Sequence, residues 1–273
     1  MRGVFPVLLG FVLAKSSAYD VGVAHDQFIG GFISGIDQLG AIYYPKGAVA
    51  GQTFPLISFA HGVFSGGQLT TPLYNNVLTN IASHGYVVVA IDVCATTCDI
   101  QAYAHDHLQV IDSVRSGTNP LFKLANTTSV GIAGHSYGAD STLFGLKAKR
   151  SEVAAAWSFN PCPAFPFFPA LEGPINSAAP VAVTTGTFDT VCNPYGVLDY
   201  YNRINAPSKF YFSLDFATHT EIEDANPQRF NGYVGHFFDC HIRGAADSCG
   251  RMYGGSGHNG VCKDLPMYEC HKA

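Results

Sequence analysis

One stretch near the middle of the chain, Ser129-Val130-Gly131-Ile132-Ala133-Gly134-His135-Ser136-Tyr137-Gly138, constrains the fold more than any other. It reads as a buried strand that runs into a tight turn and then a helix. Gly134-His135-Ser136-Tyr137-Gly138 is a G-x-S-x-G motif. In such an elbow the serine sits on a sharp, strained strand-to-helix turn, so that its hydroxyl projects above the sheet edge. A Cβ at Gly134 or Gly138 would crowd that turn and the packed helix. The β-branched residues before the motif and an amphipathic Ala139–Lys149 after it supply the context the motif needs. Ser136 is therefore the candidate nucleophile.

The rest of the chain reads as strands alternating with helices. Gln38–Tyr44 and Leu56–Ala60 are short, apolar and bounded by Pro and Gly, as strands are. Tyr86–Ile91 is a continuous β-branched run, typical of a strand buried on both faces. Ser129–Ala133, Val153–Phe159, Val181–Thr185 and Phe210–Leu214 complete the set, with Phe210–Leu214 read as the last strand. Tyr74–His84 and His105–Ser116 carry helical patterns. This alternation predicts an α/β fold: a mostly parallel central sheet with helices on both faces. The 273 residues suffice for one large domain with a sizeable core.

Three regions follow from composition. Residues 1–18 read as a secretory signal peptide: Arg2, the apolar run Val4–Ala14, then Ser16-Ser17-Ala18. The apolar run is shorter than the ~20 residues a membrane span needs, so no stable membrane anchor is expected. Residues 19–231 form the main domain. Residues 232–273 are rich in Gly, Cys, His and aromatics without periodicity, and read as an irregular, disulfide-stapled C-terminal extension packed on the same domain. The eight cysteines all lie beyond the leader, at Cys94, Cys98, Cys162, Cys192, Cys240, Cys249, Cys262 and Cys270. An even count behind a signal peptide reads as disulfides in a secreted protein. Without a CxxC pair a zinc site is not indicated. Asn126-Thr127-Thr128 is a glycosylation sequon at Asn126. A net charge of -5 with only 15 Lys and Arg argues against nucleic acid as a partner.

A serine hydroxyl is a weak nucleophile until a base takes its proton, and that base needs a third group to orient it and stabilise its cation. After such an elbow the chain order is Ser, then Asp or Glu, then His. Asp189 ends Thr184-Thr185-Gly186-Thr187-Phe188-Asp189, just past a strand, and is the candidate acid; Asp199 and Asp215 are its rivals. His219 follows the last strand through Phe216-Ala217-Thr218 and is the candidate base. With 11 histidines in the chain, most are bystanders, among them His135, His236, His241 and His258. His105-Asp106-His107 looks metal-like, but consecutive helix positions point apart. A tetrahedral intermediate needs backbone donors aimed at its oxygen. Tyr137, the residue after the nucleophile, supplies one. Val63, in the loop His61-Gly62-Val63-Phe64 after Leu56–Ala60, supplies the other, with Phe64 second. Phe64, Tyr137, Trp157 and Phe188 are candidates for an apolar substrate pocket.

These motifs, in this order, resemble an α/β-hydrolase. The pattern is closest to the branch that holds chlorophyllases, platelet-activating-factor acetylhydrolases, dienelactone-hydrolase-like esterases and cutinase-like polyethylene terephthalate hydrolases. The His-Gly-x loop, the run Ala82-Ser83-His84-Gly85-Tyr86-Val87-Val88, Gly134–Gly138, Gly186–Asp189 and His219 carry the resemblance, over about residues 38–221. It implies a serine esterase that forms an acyl-enzyme on small-molecule, lipid or polymer esters; that chemistry needs no metal or organic cofactor, and a monomer is expected. An amide or thioester hydrolase, or an acyltransferase, would use the same triad. A non-catalytic binding protein on this scaffold would be expected to have lost a triad residue.

One bridge can be assigned from topology. Val153–Phe159 and Val181–Thr185 are consecutive parallel strands, so the loops after them leave the same sheet edge. Cys162 and Cys192 lie in those loops, which predicts a disulfide that ties down the Asp189 loop. Cys94 with Cys98, and pairing within the tail, accounts for the rest.

Overall fold

The computed structural model describes residues 18–29, 38–63, 70–92, 99–163 and 171–273. The proposed leader up to Ser17, Phe64, Cys94 and Cys98 lie outside the described residues.

In chain order the elements are β1 (Val21–Ile29), β2 (Gln38–Pro45), β3 (Phe54–Ala60), α1 (Thr70–Ser83), β4 (Val87–Ile91), α2 (Ile100–Ser116), β5 (Ala125–His135), α3 (Tyr137–Gly145) and β6 (Val153–Phe159). Then come β7 (Ile175–Asn176), β8 (Val181–Gly186), α4 (Pro194–Arg203), β9 (Ile204–Asn205), β10 (Lys209–Leu214), α5 (Asn231–Arg243), α6 (Ala246–Tyr253), α7 (Val261–Asp264) and β11 (Met267–Lys272). Among the described residues, nine strands form one sheet in the order β1-β2-β4-β3-β5-β6-β8-β10-β11. The pairs from β4 through β10 are parallel, while β1, β2 and β11 run antiparallel at the two sides. β7 and β9 pair separately.

The parallel strands are apolar on both faces because both faces are covered. Along β4, Val87, Val89 and Ile91 pack in one core and Val88 and Ala90 in the other. The first core lies under α2, α3 and α4, and includes Leu108, Ile111, Leu143 and Val197. The second lies under α1 and α5, and includes Leu78, Ile81, Val234, Phe237 and Phe238. α2 begins where Asp99 accepts the amides of Gln101 and Ala102, a side-chain cap for the first turn. No helix among the described residues is long and apolar enough to cross a membrane. Asn126 sits part-exposed at the start of β5, its Oδ1 accepting the Thr128 amide at 2.9 Å.

Two expectations change. The segment after the elbow is not amphipathic: almost every residue of α3 is buried, and after Gly145 it tightens into a 3-10 turn, Leu146–Ala148. A helix that starts at the sheet edge and runs beneath α2 has no solvent face to pattern. The tail is not irregular either. It forms three helices and an edge strand, and β11 rather than β10 is the last strand. Its cysteines pair Cys240 with Cys249 and Cys262 with Cys270. α6 and α7, bounded by Gly254 and Gly260 at positive φ, have too few turns for a helical period to register; α5, with 13 residues, does bury Val234, Phe237 and Phe238 at helical spacing, a period that its Gly, Cys and His residues obscure.

Candidate active site

The carboxyl ends of the parallel strands converge on Ser136. It links β5 to α3 at φ 56 and ψ -122, a conformation that a non-glycine residue adopts only under constraint. The constraint is backbone proximity. A Cβ on Gly134 would overlap the Gly138 carbonyl, and one on Gly138 would overlap the carbonyls of Ala60 and His61. The Ser136 amide donates to Phe159 O at 2.9 Å, which ties the elbow to β6.

Ser136 Oγ lies 2.9 Å from His219 Nε2, and His219 Nδ1 lies 2.9 Å from Asp189 Oδ2. All three side chains are buried. The loops that carry them are locked together, since a Cβ on Gly186 would overlap Ala217 O. Asp189 is fully used. Oδ1 accepts the amides of Val191 and Cys192 at 3.0 and 2.7 Å; Oδ2 accepts His219 and Asn160 Nδ2, the latter at 2.9 Å. Burial raises its carboxyl pKa, but the hydrogen bond and charge of His219 and the amide donors outweigh that and hold it below the usual carboxylate range. Asp199 is instead paired with Arg203 on the surface of α4. Asp215 accepts from Thr187 and takes no part in the constellation.

Sequence reasoning passed over three supporting residues. Asn160 follows β6 at φ 48 and aims its amide at Asp189. Nothing in its neighbourhood in the sequence marks it, but a residue directly after a parallel strand stands at the site edge. His135 and Tyr74 form a relay. The Gly62 amide donates to Tyr74 Oη at 3.2 Å, and Tyr74 Oη meets His135 Nδ1 at 2.8 Å. His135 Nε2 meets the backbone carbonyl of His219 at 2.8 Å. Burial pushes the His135 pKa down to about 3, so the ring is neutral. A neutral ring facing a carbonyl must carry its proton on Nε2, which leaves Nδ1 to accept from the tyrosine. His135 is thus no bystander; it joins the His61-Gly62 loop to the His219 loop.

The loop bearing Val63 lies against Ser136: a Cβ on Gly62 would stand 3.1 Å from Ser136 Cβ. Val63 is half-buried against the first core. Tyr137 opens α3, its ring tilted against Tyr103 at 6.0 Å. The Cys162–Cys192 disulfide is present and closes over the site. Cys162 Sγ is 3.8 Å from Ser136 Oγ and Cys192 Sγ is 3.8 Å from His219 Nε2. The Cys162 amide donates to both oxygens of buried Asp140.

Trp157 does not line the site. It is fully buried in the second core, stacked on Phe159 and edge-on to Phe212 and Phe237. Alternation along β6 explains this: Ala155, Trp157 and Phe159 point toward α5, away from α3. Phe188 is 55% exposed and meets Phe216, 65% exposed, edge to face at 5.2 Å. Phe216 holds φ 57 with its amide on Thr187 Oγ1, so two aromatic rings stand in solvent on the loops that carry Asp189 and His219.

A profile of the PET hydrolase-like family matches residues 11–249. Over 188 residues the chain is also 26% identical to a protein of Thermobifida alba called cutinase est2, covering 66% of this chain. The matched stretch spans 56% of that protein's length.

Proposed function

The chain belongs to the PET hydrolase-like family, and from that premise we propose that it is a secreted serine hydrolase of carboxylic esters. The observation that carries this reading is the unbroken line of hydrogen bonds from Ser136 Oγ through His219 to Asp189, held at a strained strand-to-helix turn. Ser136 Oγ attacks the ester carbonyl as its proton passes to His219 Nε2. Asp189 stabilises the imidazolium that forms and fixes the tautomer in which Nε2 is the base. The amides of Tyr137 and Val63 receive the oxyanion. Collapse of the intermediate breaks the ester C–O bond, and His219 returns the proton to the departing alcohol. Water, activated by the same histidine, then cleaves the acyl-Ser136 bond and restores the enzyme.

The exposed Phe188–Phe216 pair favours an apolar acyl or aryl group, presented by a small ester or by the surface of a polyester. The name of the T. alba relative agrees with this substrate class. Three disulfides fit an oxidising extracellular compartment and a cleaved leader. Asn126, part-exposed, is available to carry a glycan there.

A fluorophosphonate probe tests the reading. It should label Ser136 alone, and prior labelling should abolish hydrolysis of aryl esters of graded acyl length. Labelling at another serine, or hydrolysis that survives complete labelling, overturns it. Amide analogues turned over as fast as esters would move the enzyme to the amidase class.

A further inference from the structure

The sheet face opposite α3 carries a second cluster of ligand-type side chains. His84, at the turn that ends α1, meets His236 and Asp239 one helical turn apart on α5; one ligand atom from each lies within 4.8 Å of the other two. From this geometry we propose that His84, His236 and Asp239 form a binding site for a borderline divalent metal ion of the zinc class, which clamps the end of α1 to α5. The proposal is independent of the esterase reading and adds nothing to the chemistry at Ser136.

The ring geometry supports it first. The two imidazoles stand with centroids 4.9 Å apart and planes at 87°. Two imidazoles bound to one tetrahedral ion, with metal–nitrogen bonds of about 2.0–2.1 Å, would place their centroids about 5.3 Å apart. The spacing is therefore nearly that of a bound pair. His84 lies flat on α5, because the neighbouring position is glycine: a Cβ on Gly235 would overlap the imidazole ring.

The outer contacts support it next. In metal sites the second atom of each ligand is held by another group, which frees one atom for the metal. That pattern is present here. Asp239 Oδ1 accepts Tyr86 Oη at 2.9 Å and Arg243 Nη1 at 2.7 Å, which leaves Oδ2 toward His84. His236 Nδ1 is held by Ser248 Oγ at 3.1 Å, which leaves Nε2. Arg243 also anchors the turn, since it donates to the carbonyls of His84 and Gly85.

At least one rearrangement is needed. His84 Nδ1 and Asp239 Oδ2 are hydrogen-bonded at 2.6 Å. Two ligands on a tetrahedral zinc stand about 3.3 Å apart, so the pair must open by about 0.7 Å as the ion replaces the shared proton. The His84 ring, part-exposed on its outer side, can make that move. The charge of Arg243 is opposed by Asp239, so a dication meets a site that is close to neutral rather than positive. Two imidazoles and one carboxylate suit zinc, copper or nickel and do not suit calcium, which takes oxygen ligands.

The test uses the full chain after removal of metals with a chelator. Zn2+ titration by calorimetry should give one site, and Zn2+ should raise Tm where Ca2+ does not. Co2+ should give the visible absorption of a tetrahedral ion. His236→Ala should weaken Zn2+ binding by about tenfold or more and remove the Tm rise, with ester hydrolysis unchanged. Asp239→Asn tests the carboxylate separately, and Ser248→Ala should weaken binding by less. No binding by the wild type overturns the proposal. So does binding that both His84→Ala and His236→Ala retain at full strength, since the ion would then sit elsewhere. If His236→Ala fails to fold, His84→Gln serves in its place.

Discussion

Phe159 and Asn160 are neighbours in the chain, yet they serve two regions held by different forces. Phe159 faces the second core, where Trp157, Phe212, Phe230 and Phe237 pack beneath α5. Asn160, one residue later, hydrogen-bonds Asp189 at the site edge. Around Ser136, backbone meets backbone at Gly134, Gly138 and Gly186, and polar atoms are placed by specific donors. Beneath α5, position is set by apolar area, which is non-directional. Substitution of the side chains that would react should therefore change rate at nearly constant stability. Substitutions on the α5 side should change stability at nearly constant rate per folded molecule.

The largest expected effect is on the site side. Ser136→Ala should lower ester hydrolysis by several orders of magnitude, because in the proposed mechanism Ser136, His219 and Asp189 act as a unit. Its melting temperature should stay within a few degrees of wild type, or rise, since the change removes a polar atom from a buried and strained turn. A fall in stability as large as the loss in rate would break the comparison, by showing that the elbow also holds up the sheet.

The counterpart is Trp157→Ala. Removal of a fully buried indole should cost about 3–5 kcal/mol of stability, read from denaturant midpoints. Turnover per active site, counted by probe titration, should be unchanged. A matching fall in turnover would mean that the second core transmits to the site.

The disulfides sharpen the contrast at smaller amplitude. The Cys162–Cys192 bridge closes 30 residues and the Cys240–Cys249 bridge closes 9. The chain-entropy relation gives about 3.6 and about 2.6 kcal/mol for these loops, so replacing either pair by serine should destabilise by similar amounts. Only the first pair touches Ser136 and His219. Its loss should also lower turnover, while loss of the second should not. Equal turnover in both double variants would make the site bridge purely structural.

The two regions were unequally legible. The Ser136 elbow, the strands of the large sheet between Gln38 and Leu214 and the partnership of Cys162 with Cys192 follow from local patterns, whereas β1 and the two-residue β7 and β9 were not read. A tight turn demands glycine, a doubly covered strand demands β-branched residues, and neighbouring strands share an edge. The elements from Asn231 onward did not follow, because α6 and α7 are short, and α5 mixes Gly, Cys and His into its apolar face and is held by contacts far away in the chain. His84 with Asp239 is one such contact, across 155 positions. Trp157 was misplaced because β6 is apolar on both faces, so the sequence alone does not say which face meets α5. His135 was overlooked because its partners, Tyr74 and the His219 carbonyl, lie 61 and 84 positions away.

The smallest effect tests both regions at once through pH. Burial lowers the pKa of His107 to about 4 and of His135 to about 3, both on the site side. His236 and His241, less buried on the α5 side, are lowered to about 4. In the unfolded chain a histidine takes up its proton near pH 6.5. Between about pH 6.5 and 4 these histidines therefore bind more protons in the unfolded state than in the folded one, and their contribution to stability falls as pH falls, against the opposite contribution of buried Asp140, whose pKa burial raises. Each fully buried histidine contributes a slope approaching about 1.4 kcal/mol per pH unit in that window. The part-exposed pair contributes less, because solvent screens it. Carboxylates held low, such as Asp189 and Asp239, lose their contribution only further into acid, below their ordinary range. Denaturant melts at pH 7, 5.5 and 4.5 should thus show a progressive loss. His107 is the cleanest probe, since its ring bonds Ser58 O at 3.0 Å and lies away from the triad. His107→Gln should flatten the slope by about 1.4 kcal/mol per pH unit and leave hydrolysis at pH 7 unchanged. If the slope persists in full, acid acts on the α5 side first. The His236→Ala and His241→Gln variants would then carry the flattening instead.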